Sequence, residues 1–153
     1  MLAIIPGMFS GRDSELGERV PGGEEQRAAA LQKSPVKVLV VDDEKLIADT
    51  ITEILKRNGF NAMGAYSGER ALQIANRFSP DYLLADVLMP FMNGVELAIA
   101  IRKSSAATRI LLFSGHANSA DLLDDARLRG HQFDVVAKPI HPEKLIQLLR
   151  EKP

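Results

Sequence analysis

The chain has 153 residues, 46% hydrophobic, 25% charged and 5% aromatic, which suits one globular unit with its own core and excludes a chain disordered throughout. It has no cysteine, so a disulfide scaffold, a thiolate metal centre, an iron–sulfur cluster and a cysteine nucleophile are excluded together. Nineteen basic against twenty acidic residues give a formal charge of -1, with no basic excess to suggest nucleic acid or an anionic membrane, and no apolar run approaches the ~20 residues that span a bilayer.

Residues 1–34 differ from the rest. They hold five of the eleven glycines (Gly7, Gly11, Gly17, Gly22 and Gly23) and no sustained period. Met1-Leu2-Ala3-Ile4-Ile5 is apolar but too short for a signal-peptide core, lacks a basic leader and runs into Pro6. This stretch reads as a flexible N-terminal extension with a short helix at Glu24 to Gln32, and a start assigned upstream of Met8 would give the same pattern.

From Pro35 the pattern becomes regular. Val36 to Val41 is a near-continuous β-branched run, as a strand covered on both faces requires, and Asp42 ends it. Glu44 to Asn58 reads as a helix with an apolar stripe at Leu46, Ile47, Thr50, Ile51, Ile54 and Leu55, stopped by Gly59. Asn61 to Ala65 is a weaker strand. Ser67 caps a helix to about Arg77, with Leu72, Ala75 and Phe78 inward. Tyr82 to Ala85 is a third strand, ended by Asp86. Asn93-Gly94 opens a helix through Val95, Leu97, Ala98 and Ile101. Arg109 to Phe113 is a fourth strand, Ser119 to Arg129 a helix stopped by Gly130, and Asp134 to Ala137 a fifth strand. Pro142 suits a first helical position and leads Leu145, Leu148 and Leu149, with Ile146 and Leu149 as candidate contacts for a partner. Five strands alternating with five helices give an α/β, doubly wound five-stranded parallel sheet, because parallel strands need crossovers and the helices supply them. Residues 35–153 form this domain.

In such sheets ligands bind beyond the carboxyl ends of the strands. The first strand ends in Asp42-Asp43, the third in Asp86, the fourth in Ser114 and the fifth in Lys138. Three carboxylates at one edge repel one another unless a cation offsets them. Mg2+ takes hard oxygen ligands, commonly carboxylates with phosphate oxygens and water. A carboxylate beside it can act as a nucleophile toward phosphorus, a lysine can pair with phosphoryl oxygens, and a serine hydroxyl can hydrogen-bond another. No G-x-x-x-x-G-K-[ST] or G-x-G-x-x-G loop occurs, and His116, His131 and His141 lack a metal-binding spacing.

These pieces resemble the receiver domain of two-component response regulators. The resemblance rests on Val38-Leu39-Val40-Val41-Asp42-Asp43-Glu44, on Pro80-Asp81-Tyr82-Leu83-Leu84-Ala85-Asp86-Val87-Leu88-Met89-Pro90, on Asn93-Gly94, on Leu111-Leu112-Phe113-Ser114-Gly115 and on Ala137-Lys138-Pro139. It covers about Val36 to Lys152, and the order of the pieces is more specific than any one of them. It implies the flavodoxin-like strand order 2-1-3-4-5. It also implies Asp86 as phosphoacceptor, Ser114 and Lys138 as phosphoryl contacts, and Mg2+ on Asp42, Asp43, Asp86 and the backbone carbonyl of Leu88. Lys138-Pro139 resembles the family's cis peptide, and Gly115 a small position that leaves room for the phosphoryl group. Leu88 and His116 stand where side chains tune hydrolytic water in the family, and an apolar Leu88 predicts a longer-lived phosphoryl group. Val135 stands where the family often has a rotating aromatic, with Phe133 on the same face but further from the site.

The resemblance implies a cytoplasmic phosphoacceptor switch rather than an enzyme that turns over a separate substrate. A sensor histidine kinase or a histidine phosphotransfer protein would be the donor and an unidentified protein the target. A homodimer could form through the face of the fourth helix, fifth strand and fifth helix. The sequence ends after the fifth helix with no output domain, so docking to a partner is expected, with neither direct nucleic-acid binding nor membrane insertion. The alternative is a receiver-fold interaction module that works without phosphorylation, which Val135 favours and the intact acidic set opposes. An aspartate phosphatase would need D-x-D, where this chain has adjacent acids.

Overall fold

The computed structural model describes residues 34–115 and 119–151. Residues 1–33 of the expected extension, including the helix at 24–32, and His116 lie outside the described residues.

The elements run β1 (Lys37–Val41), α1 (Lys45–Arg57), β2 (Asn61–Ala65), α2 (Gly68–Phe78), β3 (Tyr82–Asp86), α3 (Gly94–Ser104), β4 (Arg109–Ser114), α4 (Ser119–Leu128), β5 (Asp134–Ala137) and α5 (Pro142–Arg150). The strands form one sheet in the order β2-β1-β3-β4-β5, and each adjacent pair is parallel. The order reverses at β1, which lies between β2 and β3, and in such sheets ligands bind at the carboxyl ends beside that point.

Side-chain alternation along the strands divides the core in two. Val38 and Val40 of β1, Leu84 of β3, and Leu111 and Phe113 of β4 pack with Leu55 of α1 and Leu145 and Leu149 of α5. Leu39, Val41, Leu83, Ala85, Ile110 and Leu112 point the other way, against Ala71 of α2, Val95, Leu97 and Ile101 of α3, and Ala126 of α4. Each fully buried Val, Leu or Phe contributes about 1.5–3 kcal/mol relative to exposure, so the central strands β1 and β3 anchor both layers. β5, at the sheet edge, is mostly exposed.

Most helix ends follow local chemistry. The Ser67 hydroxyl accepts from the Arg70 N–H at 3.1 Å. Asn93 and Glu96 form a reciprocal capping box on α3. Gly59 and Gly130 take positive φ angles of 91° and 90° after α1 and α4, where a left-handed residue costs glycine nothing.

Two expectations need correction. The stripe assigned to α1 is rotated: its buried residues are Ala48, Thr52 and Leu55, and Leu46 is exposed. Small side chains let α1 approach β2. The Thr52 hydroxyl is satisfied by donating to the Ala48 carbonyl at 2.7 Å, and a Cβ on Gly64 would lie 3.0 Å from Thr52 Oγ1. Leu46, Ile47, Thr50, Ile51 and Ile54 instead line an apolar groove of about 590 Å3 with Pro139, Ile140, Pro142 and Leu145. Leu149, expected as a partner contact, is a core residue at 2% exposure. The register of α5 turns it toward the sheet with Leu145 and leaves Ile146 and Leu148 half-buried. No helix among the described residues is long and apolar enough to cross a membrane.

Candidate functional site

Strand ends build the site. Asp42 follows β1. Its N–H donates to the Ala65 carbonyl at 3.1 Å, and its Oδ1 accepts from the Glu44 N–H at 2.9 Å. These bonds fix the carboxylate in a buried position, 1% exposed. Asp43, next along, faces solvent. Asp86 closes β3 opposite Phe113 of β4 and is 9% exposed. The backbone of Leu88 favours the ionised form of the Asp86 carboxylate.

The turn after Asp86 is pinned on both sides. Val87 N–H donates to the Phe113 carbonyl at 3.0 Å, and Gly94 N–H donates to the Val87 carbonyl at 2.9 Å. Gly94 lies so close that a Cβ there would sit 2.1 Å from the Asp86 carbonyl oxygen. The sequence suggested only a helix start at Asn93-Gly94; the close approach to the backbone of Asp86 is a second demand on that glycine.

Lys138 enters from the far side of the sheet. Its N–H donates to the Ser114 carbonyl at 3.0 Å, and the Lys138–Pro139 peptide is cis. Its Nζ lies 3.3 Å from Asp42 Oδ2 and 3.3 Å from Asp86 Oδ2. Gly115 makes room for the lysine stem: a Cβ there would lie 3.3 Å from Lys138 Cβ and Cδ. Its small size therefore accommodates the Lys138 stem.

Oxygens of Asp42, Asp43 and Asp86 lie within 4.8 Å of one another. One ammonium among three carboxylates leaves the corner negative. Burial pushes the Asp86 carboxyl above its ordinary value; Lys138 opposes that rise and the charge of Asp42 adds to it. Burial pulls the Lys138 ammonium down, but the charges of Asp86 and Asp42 outweigh it and hold the group above its ordinary value. Both partners shift upward because the same ammonium profits from two carboxylates, while Asp86 pays for desolvation with half of one cation. The donor set suits a hard divalent cation: three carboxylates within reach of one site, in net negative surroundings.

Ser114, half-buried at the end of β4, shares a hydrogen bond between hydroxyls with Ser119, the first residue of α4. Ser119 is 1% exposed. Sequence reading assigned Ser119 no site role, and a lone serine at a helix start carries no signal for one. Val135 is 43% exposed on β5. Phe133 packs at the rim of the helical layer with the Arg102 guanidinium 4.4 Å from its ring centroid. The three carboxylates, Lys138 and Ser114 all lie at the carboxyl ends of β1, β3, β4 and β5, and Leu88 joins them through its backbone.

The sequence model described as "Response regulator receiver domain" matches residues 38–150. The chain is 33% identical over 118 residues to a protein named probable transcriptional regulatory protein TcrX from Mycobacterium tuberculosis, covering 76% of this chain and 49% of that protein. It is 32% identical over 114 residues to the cell cycle response regulator CtrA of Brucella ovis, covering 72% of this chain and 47% of that one. The chain thus spans about half the length of these curated relatives. Among solved structures, the chemotaxis protein CheY4 of Vibrio cholerae superposes with a TM-score of 0.68 at 30% identity, over 76% of this chain and 98% of that one. A response regulator receiver protein from Pseudomonas putida gives a TM-score of 0.68 at 28% identity, over 78% and 98% of the two chains. With the sheet order, the acidic corner and these likenesses in agreement, the chain belongs to the receiver domain family of two-component response regulators.

Proposed function

We propose that residues 35–153 accept a phosphoryl group on Asp86 and switch partner binding in response. The observation that carries this reading is the convergence of Asp42, Asp43 and Asp86 within 4.8 Å, with Lys138 Nζ 3.3 Å from two of them. In the transfer, an Asp86 carboxylate oxygen attacks the phosphorus of a phosphohistidine. The P–N bond of the donor breaks as the new P–O bond forms, and the imidazole leaves with the electron pair and takes up a proton. Hydrolysis of the acyl phosphate by water returns the carboxylate and inorganic phosphate.

The residues divide the work. Asp86 is the nucleophile. Lys138, already beside Asp86, pairs with a phosphoryl oxygen as charge builds on it. Ser114 donates its hydroxyl proton to another phosphoryl oxygen. Asp42, Asp43, Asp86 and the Leu88 carbonyl would hold Mg2+, which when bound supplies positive charge to the phosphoryl oxygens. Asp42 is fixed by its Glu44 contact, and exposed Asp43 offers the open side of the site.

The donor in this reading is a sensor histidine kinase or a histidine phosphotransfer protein, in the cytoplasm. The signal leaves through the face of α4, β5 and α5, where Leu128 and Val135 are exposed apolar side chains. That face would meet the target protein or a second copy of the chain. The reading is tested by incubating the protein with Mg2+ and acetyl phosphate and measuring intact mass. An adduct of about 80 Da on the native chain, absent from Asp86→Asn, supports it. An adduct that persists in Asp86→Asn would mean another acceptor. No adduct with any donor would favour a module that acts without phosphorylation.

A further inference from the structure

We propose that Asp49 and Tyr66 hold the Lys45 ammonium away from Asp42, Asp43 and Asp86, and so keep that acidic corner open to a divalent cation. The proposal rests on the divalent-cation site of the reading above and adds two positioning residues to it.

Four observations support it. First, Lys45 begins α1, and the first turn of that helix holds no acid. The acids beside it in the chain are Asp42, Asp43 and Glu44. An ammonium at a helix start is repelled by the positive end of the helix dipole. A flexible four-carbon stem and a negative corner would together draw Lys45 toward the carboxylates. Second, it lies elsewhere. Its Nζ is 2.6 Å from Asp49 Oδ2, one turn along α1, and 5.0 Å from the centroid of the Tyr66 ring. Among the described residues, the cation within ion-pair distance of Asp42 and Asp86 is Lys138. Third, the holder is itself held. The Tyr66 hydroxyl donates to Asp49 Oδ1 at 2.5 Å, which leaves Oδ2 for the lysine while the ring face attracts the ammonium. Tyr66 follows Ala65, whose carbonyl accepts from the Asp42 N–H at 3.1 Å, so the holder and the corner share one strand end. Fourth, the side chains of Lys45 and Asp49 are 69% and 45% exposed. A pair so exposed contributes little to folding, so its main consequence is where the positive charge sits.

The test titrates Mg2+ into the full, unphosphorylated chain by isothermal calorimetry, with Asp49→Asn, Lys45→Gln and the double variant beside the native protein. An ammonium that occupied the corner for two-thirds to nine-tenths of the time would raise the apparent Kd about 3- to 10-fold, which is the weakening expected of Asp49→Asn. Lys45→Gln should bind Mg2+ at least as tightly as the native chain. The double variant should match Lys45→Gln within about 2-fold, because no ammonium remains to be released. Urea midpoints without Mg2+ should stay near the native value, since the pair is exposed. If Asp49→Asn does not fold, Tyr66→Leu, which removes ring and hydroxyl together, must weaken Mg2+ binding about 2- to 5-fold in a way that Lys45→Gln cancels. An unchanged Kd in Asp49→Asn, or a weakening that persists in the double variant, would overturn the holder. Mg2+ binding that still responds to Asp43→Asn would then leave the cation site standing. A native chain that takes up no Mg2+ at millimolar concentration would overturn both.

Discussion

Gly94→Ala is a test of how tightly the acceptor strand and α3 are fitted together. A methyl group there would sit 2.1 Å from the Asp86 carbonyl oxygen, 2.9 Å from the Asp86 carbonyl carbon and 2.9 Å from Val87 Cα. All three obstacles are backbone, so no rotamer change relieves them. An ordinary carbon–oxygen contact is well over 3 Å, so α3 must retreat from β3 by roughly 1 Å. That retreat stretches the 2.9 Å bond from Gly94 N–H to the Val87 carbonyl and loosens Val95, Leu97 and Ala98, which are all buried against the sheet. Overpacking of this kind costs about 1–3 kcal/mol, and a weakened hydrogen bond adds about 1. Replacing glycine in a helix returns at most ~1 kcal/mol. The expected net loss is therefore about 1–4 kcal/mol, read as a lower urea midpoint by circular dichroism with an unchanged slope. Gly64→Ala is the comparator: its nearest obstacle is the Thr52 hydroxyl at 3.0 Å, a side chain that can shift, so the loss should be under about 1.5 kcal/mol. A Gly94→Ala midpoint equal to or above that of the native chain would refute the account of this contact.

Further outcomes follow from the charges and the turn chemistry. Because burial holds the Asp86 carboxyl above its ordinary value of 3.8, the folded protein binds that proton more tightly than the unfolded chain. The resulting stability is fully present below 3.8 and is lost as pH rises through the elevated folded value. Asp86→Asn should accordingly be more stable than the native chain at pH 7 without divalent cations, with the difference vanishing near pH 3; urea titrations at both pH values decide it, and a variant weaker at pH 7 contradicts the burial argument. Mg2+ at millimolar concentration should raise the melting temperature of the native chain and raise that of Asp43→Asn less, since the variant loses one of three clustered carboxylates; equal shifts would remove Asp43 from the ligand set. Leu88→Asn should shorten the lifetime of the Asp86 adduct by several-fold, because an amide can hydrogen-bond an incoming water where half-buried Leu88 cannot. An unchanged decay rate, followed by intact mass, would separate Leu88 from the control of hydrolysis.

The strands were legible because β1, β3 and β4 are covered on both faces and so need unbroken apolar runs. The acids and the hydroxyl that close those runs were legible for the same reason: polar residues stand out at the end of an apolar run; Lys138, after the mostly exposed β5, was legible through Ala137-Lys138-Pro139 instead. The α1 stripe was misread because periodicity weighs size, and the helix buries its small residues, Ala48 and Thr52, where backbone must come close. Leu46 was counted as core and is 79% exposed. Leu149 was misassigned because two adjacent leucines at 148 and 149 fit either of two faces, and the position of the sheet decides between them. The Ser114–Ser119 contact spans five positions across the end of a strand and the start of a helix, a relation no single-element period describes.

Lys138 gives the acidic corner a tethered occupant of its own. Its ammonium bridges Asp42 and Asp86 at 3.3 Å to each, so a divalent cation arriving from solution enters a pocket already partly neutralised. An affinity titrated on this chain is in effect an exchange constant, the gain from the incoming ion less whatever the lysine gives up in yielding its place. Shortening or neutralising that side chain should therefore tighten the grip on a divalent ion, while in the proposed phosphorylated form it would strip the phosphoryl group of a counter-charge.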